Sequence, residues 1–403
     1  MKILFINNFY SPDIIGGAEI ILKMLAEGAR SKGIDVAVLA TTDIPGLHQD
    51  EVNGVRVWRA GLRNIYWHKY SERPGMLRRR VWHLADLYNP LMIGLVKQVI
   101  SIEQPTVASV HNLAGFSVST WSALTEAGVP IFQVLHDHYL LCPAATMYKS
   151  GNNCTTQCAT CGLMRLPHKL LSRNVAGVIG VSNYILNRHI EAGFFHGVDN
   201  RNVIYNTRTE QDIGLLITHD DSSKGNRPLR FGFIGALTSV KGIEMLLNVY
   251  VNHPFPNTEL IVAGTGDINY VRKLESMAAG HPVCFLGRVN PAEFYSSVDV
   301  VIVPSLWNEP LATVIIEAMI CGKVIIASNT GGSSELIFDK QNGLLFEPDD
   351  PNALHDAITR VSDDLSLRSR LVDGAISIRR DFMDRDRFLD AHISCYRGAE
   401  DVG

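Results

Sequence analysis

The sequence predicts an α/β protein built from two domains, each with a doubly wound parallel sheet. Its 403 residues exceed what one hydrophobic core usually serves, so two domains of about 200 residues are expected. Hydrophobic residues make up 46% and charged residues 19%, which is typical of a globular protein with covered sheets. Short apolar runs alternate with helical patterns, and this cycle occurs twice. Two such domains facing each other would leave a ligand-binding cleft at the carboxyl ends of both sheets.

The individual elements follow from these runs. In the first half we predict the strands Ile3–Asn7, Asp35–Ala40, Val55–Ala60, Thr106–Val110, Ile131–Leu135 and Gly177–Val181. In the second half we predict Leu229–Ile234, Glu259–Ala263, Val283–Leu286, Val300–Pro304 and Lys323–Ala327. Predicted helices include Glu19–Ser31, which ends at Gly33, as well as Lys241–Val251 and Tyr270–Ala279.

A polar stretch near residues 206–228 separates the two cycles. We therefore predict an N-terminal domain of residues 1–205 and a C-terminal domain of residues 206–380. The segment from Asp381 to Tyr396 has helical periodicity. We predict a final helix of about residues 381–403, which could pack back on the N-terminal domain or on the C-terminal one.

Charge is distributed unevenly along the chain. Residues 1–205 hold 19 Lys/Arg and 14 Asp/Glu, a net charge of +5, whereas residues 206–403 hold 18 and 27, a net charge of −9. This difference in net charge indicates either that the first half binds an anionic partner or that the charges of two folded halves differ by chance.

Short apolar stretches, the lack of a signal-peptide pattern and the cysteine content together favour a cytoplasmic protein. The longest apolar stretches, Val298–Pro304 and Leu91–Val96, are shorter than the roughly 18–20 residues of a spanning helix. The apolar start of the chain is interrupted at Asn7–Asn8, which is too early for a signal peptide. Seven cysteines in so long a chain are not a disulfide scaffold and fit a reducing compartment.

Two glutamates eight positions apart give the clearest chemical signal. Glu309 lies in the loop after the strand that ends at Pro304, and a helix is predicted to begin near Leu311, with Pro310 in its first turn. The amides at that helix start form an anion site suited to a diphosphate. Glu317 lies about two turns further on, so the two carboxylates could accept hydrogen bonds from sugar hydroxyls on both sides of a diphosphate. Surface helices often carry such pairs, but apolar residues surround Glu317.

This Glu-x7-Glu element resembles that of the retaining glycosyltransferases of family 4. Further matching segments are Gly16–Glu19, Lys241–Gly242, Ala318–Met319, Gly322–Ala327, Gly331–Ile337 and Asn342–Phe346. The resemblance spans nearly the whole chain and implies the GT-B architecture, in which two Rossmann-like domains face each other across a cleft. It also implies transfer of a hexosyl-type sugar from a UDP-, GDP- or ADP-linked donor to a saccharide or lipid-linked saccharide, in the synthesis of cell-surface polysaccharide or glycoconjugate.

The resemblance implies roles for single residues. Glu309 would hold the hydroxyls of the transferred sugar, Glu317 would hold the ribose hydroxyls, and Lys241 would neutralise the leaving diphosphate. Gly16 and Gly17 would let the backbone approach the donor phosphates. Further donor-binding positions are Gly235, Pro310, Leu311, Ala312, Thr313 and the loop Gly264–Asp267.

Two positions depart from the family pattern. Ala236 stands where members usually carry an arginine, so the diphosphate charge would fall on Lys241 or on a substitute such as Arg208 or Arg288. Leu311–Ala312 stands where Phe-Gly is commoner, and the added methyl group bears on donor choice.

Polar residues follow two neighbouring strands of the first domain, His111–Asn112 after one and His136–His138 after the next. The resemblance places His136 beside the donor sugar, as a third catalytic residue with Lys241 and Glu309. It would hydrogen bond to the sugar rather than remove a proton, and Asp137 could orient its imidazole. His111–Asn112 would line the acceptor side. A structural role for these histidines is the alternative, above all for His138.

Four clustered cysteines, Cys142, Cys154, Cys158 and Cys161, have a spacing compatible with a structural zinc that pins a long loop. Reduced loop thiols are the alternative interpretation. The family's transfer chemistry needs no metal, so we expect no cofactor for catalysis.

Between Arg56 and Glu103, basic and aromatic residues are interleaved. The basic ones are Arg56, Arg59, Arg63, Lys69, Arg73, Arg78, Arg79, Arg80 and Lys97; the aromatic ones are Trp58, Tyr66, Trp67, Tyr70 and Trp82. Such a segment predicts peripheral contact with an anionic bilayer, at the inner face of the membrane, where a lipid-linked acceptor would be received. A solvated domain face is the alternative. Because no nucleic-acid motif accompanies the charge, nucleic acid is not an expected partner.

Other function classes stay open. A nucleotide-sugar epimerase on the same fold would need no acceptor, and a non-catalytic sugar-binding scaffold would be consistent with Ala236. A phosphorylase would need a cofactor-lysine motif that the sequence lacks. A nicotinamide dehydrogenase would need Gly-x-Gly-x-x-Gly after the first strand, where Asn7–Pro12 stands instead.

Overall fold

The computed structural model describes residues 1–69, 74–214 and 227–398. The chain separates into two compact units: unit 1 consists of residues 1–147, 154–205 and 386–403, and unit 2 of residues 148–153 and 206–385. The chain thus passes from one unit to the other between Tyr205 and Asn206. Most of the polar connector near 206–228, from residue 215 to 226, lies outside the described residues.

Unit 1 is built on an eight-stranded sheet. Numbered along the whole chain, its strands are β1 (Lys2–Ile6), β2 (Asp35–Thr42), β3 (Leu47–Val52), β4 (Val55–Gly61), β5 (Val107–Val110), β6 (Ile131–Leu135), β9 (Gly177–Gly180) and β10 (Arg201–Val203). Their order is β10-β9-β6-β5-β1-β2-β4-β3. All neighbours are parallel except β3, which pairs antiparallel with β4. Strand β3 is polar and mostly exposed, as suits an edge strand.

Helices cover this sheet. They are α1 (Gly17–Ser31), α2 (Met76–Ala85), α3 (Pro90–Glu103), α4 (Ser119–Glu126), α5 (Ala159–Met164), α6 (Leu166–Leu171) and α7 (Asn183–Glu191). Their ends follow local chemistry: the Asn89 side chain accepts a hydrogen bond from the Leu91 amide at the start of α3, and Ser182 accepts one from Ile185 in α7. The strands β1, β5, β6 and β9 are buried almost throughout, as expected for a parallel sheet covered on both faces.

The final helix, α16 (Arg385–Arg397), packs on α1 in unit 1. Lys32 at the end of α1 binds Asp386 at 3.0 Å and Asp390 at 2.9 Å. The two helices approach closely at Gly28, where an added Cβ would lie 2.5 Å from Leu389 Cδ1 and would displace that side chain. The helix thereby buries Tyr396 against strand β6, edge-on to Phe132.

Unit 2 is built on a six-stranded parallel sheet. Its strands are β11 (Leu229–Ile234), β12 (Thr258–Ala263), β13 (Val283–Gly287), β14 (Val300–Val303), β15 (Val324–Ser328) and β16 (Leu344–Phe346). Their order is β13-β12-β11-β14-β15-β16. A two-stranded hairpin, β7 (Tyr148–Lys149) and β8 (Asn152–Asn153), also belongs to this unit.

The helices of unit 2 are α8 (Glu210–Ile213), α9 (Ile243–Asn252), α10 (Ile268–Ala278), α11 (Pro291–Ser297), α12 (Thr313–Ile320), α13 (Pro351–Asp363), α14 (Leu365–Ile378) and α15 (Arg380–Met383). Aspartates begin three of them, because the side chains of Asp267, Asp350 and Asp364 accept hydrogen bonds from first-turn amides. The core of this unit packs strand residues such as Phe231, Ile302 and Ile326 against Leu247 and Ile358 from the helices.

The predicted α/β class with two parallel sheets is confirmed, and each of the eleven predicted strands is present. The predicted helix starts at Glu19, Lys241, Tyr270 and near Leu311 each differ from the structure by two residues, and two of these differences concern candidate site residues. Helix α12 begins at Thr313 rather than near Leu311, so Pro310 lies in the preceding loop. Helix α9 begins at Ile243, because Lys241 closes a separate 3₁₀ turn (Ser239–Lys241). Over the described residues, helices long and apolar enough to cross a membrane are absent.

Candidate active site

Lys241 and Glu309 are in direct contact in unit 2. Lys241 Nζ donates to Glu309 Oε2 at 2.7 Å, and the Ser305 hydroxyl donates to Glu309 Oε1. Glu309 is 4% exposed, so these two partners, rather than bulk solvent, stabilise the charge of its carboxylate. The structure therefore brings together the two residues assigned to the sugar hydroxyls and to the diphosphate.

Two glycines explain why these side chains meet. Gly242 has φ +72°, and a Cβ there would lie 1.8 Å from the Pro304 carbonyl oxygen. Gly331 has φ +50°, and a Cβ there would lie 2.1 Å from the Glu309 carbonyl oxygen. Only glycine allows such close backbone approach in a left-handed conformation. The loops after β11, β14 and β15 are therefore pressed together around Glu309.

Asn153 of the β7–β8 hairpin fixes the loop before Glu309. Its Nδ2 donates to the Leu306 carbonyl at 2.7 Å, and its Oδ1 accepts from the Asn308 amide at 2.8 Å. Sequence reasoning missed this residue, because an asparagine in a polar loop gives no signal for a contact 155 residues away.

Glu317 is held at both carboxylate oxygens. Arg208 Nε lies 3.2 Å from Oε1, and the Tyr295 hydroxyl donates to Oε2 at 2.8 Å. Arg208 is 2% exposed, and its Nη2 is buried without a hydrogen-bond partner among the described residues. Burial and the neighbouring Glu317 carboxylate raise the pKa of Tyr295. Of the two arginines considered as substitutes for the one absent at Ala236, Arg208 contacts Glu317, whereas Arg288 is exposed.

The other predicted donor-binding positions of unit 2 lie on the same loops. Pro310, Leu311 and Ala312 are buried and lead into α12, whose first residue is Thr313. Ala312 occupies the N-cap position, and among the described residues no side-chain cap hydrogen bond is made there, an arrangement that suits an anionic ligand. Gly235 lies in the turn after β11, where its amide donates to the Ala263 carbonyl at 3.1 Å.

In unit 1, Gly16 and Gly17 form the start of α1. The Gly16 amide donates to Glu19 Oε2 at 2.7 Å, and burial raises the pKa of Glu19. A Cβ on Gly16 would meet only that oxygen, at an ordinary 3.7 Å. Packing within unit 1 thus leaves room for a side chain at Gly16. Sequence reasoning missed the bracing role of Glu19, although a glutamate three residues after a helix start is a recognised capping pattern.

His136 and His111 are hydrogen bonded at the carboxyl edge of the unit 1 sheet. His111 Nδ1 lies 2.8 Å from His136 Nε2. The imidazole of His136 is therefore positioned by His111, whereas Asp137, which we expected to orient it, accepts from the Tyr139 amide at 2.7 Å. Burial lowers the pKa of His136 to about 3 and raises that of Asp137 to about 6.

His138 lies apart from this pair. Its side chain is fully buried, and its Nε2 lies 3.3 Å from the Tyr184 hydroxyl. Burial lowers its pKa to about 3. These contacts favour the structural interpretation of His138.

The cysteine cluster is only partly assembled. The sulfurs of Cys142 and Cys161 lie 3.9 Å apart, and Cys158 also contacts Cys161. Among residues 1–69, 74–214 and 227–398, no group of three or more His, Cys, Asp or Glu side chains is arranged to hold a metal ion. The structural zinc at Cys142, Cys154, Cys158 and Cys161 therefore stays a prediction, which the zinc content of the purified protein would test.

Family models match most of the chain. A model described as Glycosyl transferase 4-like domain matches residues 16–206, and one described as Glycosyl transferases group 1 matches residues 217–377. A 42.6 kDa protein in the cps region of Klebsiella pneumoniae is 31% identical over 336 residues, covering 83% of this chain and 87% of the relative. The chain belongs to the GT-B glycosyltransferases.

Further relatives agree with this family. The glycosyltransferase MJ1607 of Methanocaldococcus jannaschii is 26% identical and covers 93% of this chain and 92% of its own. Among solved structures, Anabaena Alr3699/HepE in complex with UDP and glucose superposes with a TM-score of 0.71 at 21% identity, covering 98% of both chains. Sucrose-phosphate synthase from Thermosynechococcus elongatus gives 0.74 at 19% identity over the full length of both. The GT-B fold predicted from the sequence is thereby confirmed.

Proposed function

We propose that this glycosyltransferase moves a hexosyl-type sugar, with retention of anomeric configuration, from a nucleotide-diphosphate sugar to a saccharide or lipid-linked saccharide. The observation that carries the proposal is the Lys241–Glu309 contact just before α12, a helix without a side-chain cap, with Glu317 about one turn inside that helix. It joins a fixed cation, two oriented carboxylates and a helix start without a side-chain cap. The HepE structures are complexes with UDP and glucose and with UDP-glucose, which supports a nucleotide-sugar donor for this chain.

Each group in unit 2 has a stated role in this mechanism. Lys241 and the α12 amides stabilise the negative charge that develops on the leaving diphosphate, and because they are already in place they need little reorganisation. Glu309 accepts hydrogen bonds from hydroxyls of the transferred sugar. Glu317 accepts hydrogen bonds from the ribose.

Arg208 supplies a second positive charge and so replaces the arginine that family members usually carry at the position of Ala236. Its guanidinium is buried on Glu317, and its unpartnered Nη2 leaves one donor for a ligand. In unit 1, the neutral His136 hydrogen bonds to the sugar, and the acceptor proton passes to a phosphate oxygen of the donor. No protein base is then needed.

The test is a transfer assay with purified protein, a panel of UDP-, GDP- and ADP-sugars, and saccharide or lipid-linked acceptors. Nucleotide release that requires an acceptor, with a product that keeps the donor's anomeric configuration by NMR, is the expected result. Conversion of the donor without an acceptor would indicate an epimerase. Absence of both donor binding and turnover would favour a sugar-binding scaffold.

We also propose that helix α2 contacts an anionic membrane surface. Of the basic segment, Arg56, Arg59, Lys69 and Lys97 pair with carboxylates. In contrast, the part of the chain that the structure describes contains no ion pair of Arg78, Arg79 or Arg80; Tyr70 and Arg73 lie outside that part. The same helix exposes Met76, Leu77, Val81 and Leu84. Exposed apolar and cationic side chains on one helix suit an interface with anionic lipid.

Vesicle flotation tests this contact. The wild type is expected to float with vesicles containing phosphatidylglycerol and not with phosphatidylcholine alone. The triple variant Arg78→Glu, Arg79→Glu, Arg80→Glu should stay in the unbound fraction, while Arg173→Glu, an exposed arginine outside α2, should still float. Equal flotation of the triple variant would reject this surface.

A further inference from the structure

A chain of hydrogen bonds leads from the C-terminal helix to His136 through the interior of unit 1. The Tyr396 hydroxyl lies 2.8 Å from Ser109 Oγ, which lies 3.1 Å from His111 Nε2. His111 Nδ1 lies 2.8 Å from His136 Nε2. Tyr396, Ser109 and His111 are 1%, 0% and 2% exposed, whereas His136 is half-buried at the end of β6. The network is thus buried at one end and open at the other.

The two imidazoles meet edge to edge. Their planes differ by 17° and their centroids are 5.1 Å apart, while the bonded nitrogens are only 2.8 Å apart. Both nitrogens therefore lie between the rings, as in a hydrogen bond within a shared plane. Burial lowers the pKa of both rings, and the nearby His392 lowers them further, so both are neutral at neutral pH. One nitrogen of the contact must then donate and the other accept.

The direction of donation follows from the hydroxyl groups. If Tyr396 donates to Ser109, then Ser109 donates to His111 Nε2 and His111 Nδ1–H donates to His136 Nε2, so each hydrogen up to His136 has an acceptor. In the reverse direction the Tyr396 hydroxyl hydrogen has no acceptor among the described residues. A buried donor left unpaired is costly, so the first direction is favoured.

We infer that Ser109 and His111 are positioning residues that hold His136 in the tautomer with its hydrogen on Nδ1. This inference rests on the proposed role of His136 in sugar binding. Because Nε2 accepts from His111, Nδ1 is the nitrogen that His136 offers to a ligand, and it is a donor. His136 therefore donates a hydrogen bond to a sugar oxygen and does not take up the acceptor's proton.

Ser109 is the residue that sets the direction, which yields a matched pair of variants. In Tyr396→Phe, Ser109 can still donate only to His111, so the tautomer should be kept. In Ser109→Ala, the hydroxyl that supplies a hydrogen to His111 Nε2 is lost, and neither direction is imposed. Both changes remove one buried hydroxyl, so a general packing effect would not separate them.

Long-range ¹H–¹⁵N correlation spectra of protein labelled at histidine report the protonated ring nitrogen directly. The signals of His136 are assigned with His136→Gln. In the wild type and in Tyr396→Phe, His136 should carry hydrogen on Nδ1; in Ser109→Ala, a measurable fraction should carry it on Nε2. An Nε2–H tautomer in the wild type, or unchanged spectra in a folded Ser109→Ala variant, would overturn the inference.

Kinetics separate this inference from the proposed function. In Ser109→Ala, kcat should fall about tenfold, the effect of weakening one hydrogen bond, while the affinity for the free nucleotide, of which neither Ser109 nor His136 is a proposed ligand, stays unchanged. If the spectra are as expected but no donor is turned over by the wild type, the network stands and the proposed function fails. If turnover occurs and Ser109→Ala leaves kcat unchanged, the transferase stands and the positioning role fails.

Discussion

The two units build their polar sites from opposite kinds of groups. In unit 1, burial keeps the histidines at the sheet edge neutral, so the direction of their hydrogen bonds determines which ring nitrogen donates. In unit 2, the candidate site residues form ion pairs, Lys241 with Glu309 and Arg208 with Glu317. Neutral groups suit the recognition of sugar hydroxyls, and fixed charges suit a diphosphate. Unit 1 thus offers neutral hydrogen-bonding groups, whereas unit 2 offers paired charges.

Acidification should affect unit 1 far more than unit 2. Burial lowers the pKa of the eight histidines His68, His83, His111, His136, His138, His168, His189 and His392, which lie in the described part of unit 1. Between their folded pKa values and about 6.5 the unfolded state binds more protons, so each lowers the free energy of unfolding by about 1.4 kcal/mol per pH unit as pH falls. The raised pKa values of Asp86, Asp137 and Glu19 have the opposite effect, because these groups raise the free energy of unfolding as pH falls.

Because the histidines outnumber these acids, unit 1 should open first as pH falls from 6.5 towards 4. Hydrogen exchange read by mass spectrometry, corrected for the intrinsic rate at each pH, should show early loss of protection in β5, β6 and α16. Simultaneous loss in β11 and β14 would contradict the comparison.

The buried ion pair of unit 2 should give the next largest effect. Glu317→Met leaves Arg208 buried and unpaired, which should cost about 3–5 kcal/mol of stability. The double variant Arg208→Met, Glu317→Met removes both charges and should recover most of this loss. Calorimetric unfolding checks both, and a double variant no more stable than Glu317→Met would show that the pair's charges are not the cause.

Lys241→Ala should lower kcat by about 10²–10³-fold, since it removes a fixed positive charge where negative charge develops. Lys273→Ala is the matched control, because Lys273 also pairs with a carboxylate, Glu244, but is 55% exposed at its side chain. Initial-rate kinetics with saturating acceptor measure both. Full turnover in Lys241→Ala would remove this residue from the mechanism and leave Arg208 as the cation.

The smallest expected effect concerns the loop before Glu309. Asn153→Ala removes two hydrogen bonds to that loop and should lower kcat about three- to tenfold through the geometry of Glu309. Asn152→Ala, at the exposed neighbouring position, should retain wild-type kcat. Equal rates for the two variants would show that the loop holds its geometry without the hairpin.

The fold could be predicted well because its strands are apolar and short. Strand β14, for example, is a run of four buried β-branched residues, Val300–Val303, that no helical pattern accommodates. Strand β3 was missed because its sequence, Leu47–Val52, is polar and exposed at the sheet edge. Residue propensities do not indicate a strand that is stabilised mainly by pairing with its neighbour in the sheet.

The residues of the candidate site were identified from the sequence, but their contacts with one another were not. Lys241 and Glu309 were identified through a motif, yet their contact depends on loops brought together by Gly242 and Gly331. Tyr295 gave no signal, since its contact with Glu317 requires α11 to pack beside α12. The pairing of His111 with His136 was within reach, because both follow adjacent parallel strands and such ends meet at one edge of a sheet.

Calorimetric titration of UDP-, GDP- and ADP-sugars into the wild type and Glu317→Gln tests the proposed donor site. We expect that one donor binds the wild type and binds the variant about tenfold or more weakly, because the carboxylate that accepts from the ribose is lost. Glu259→Gln, which alters an ion pair of β11 and β12, should bind the donor like the wild type. Failure of all donors to bind at millimolar concentration, or equal binding by Glu317→Gln, would contradict the proposed donor site.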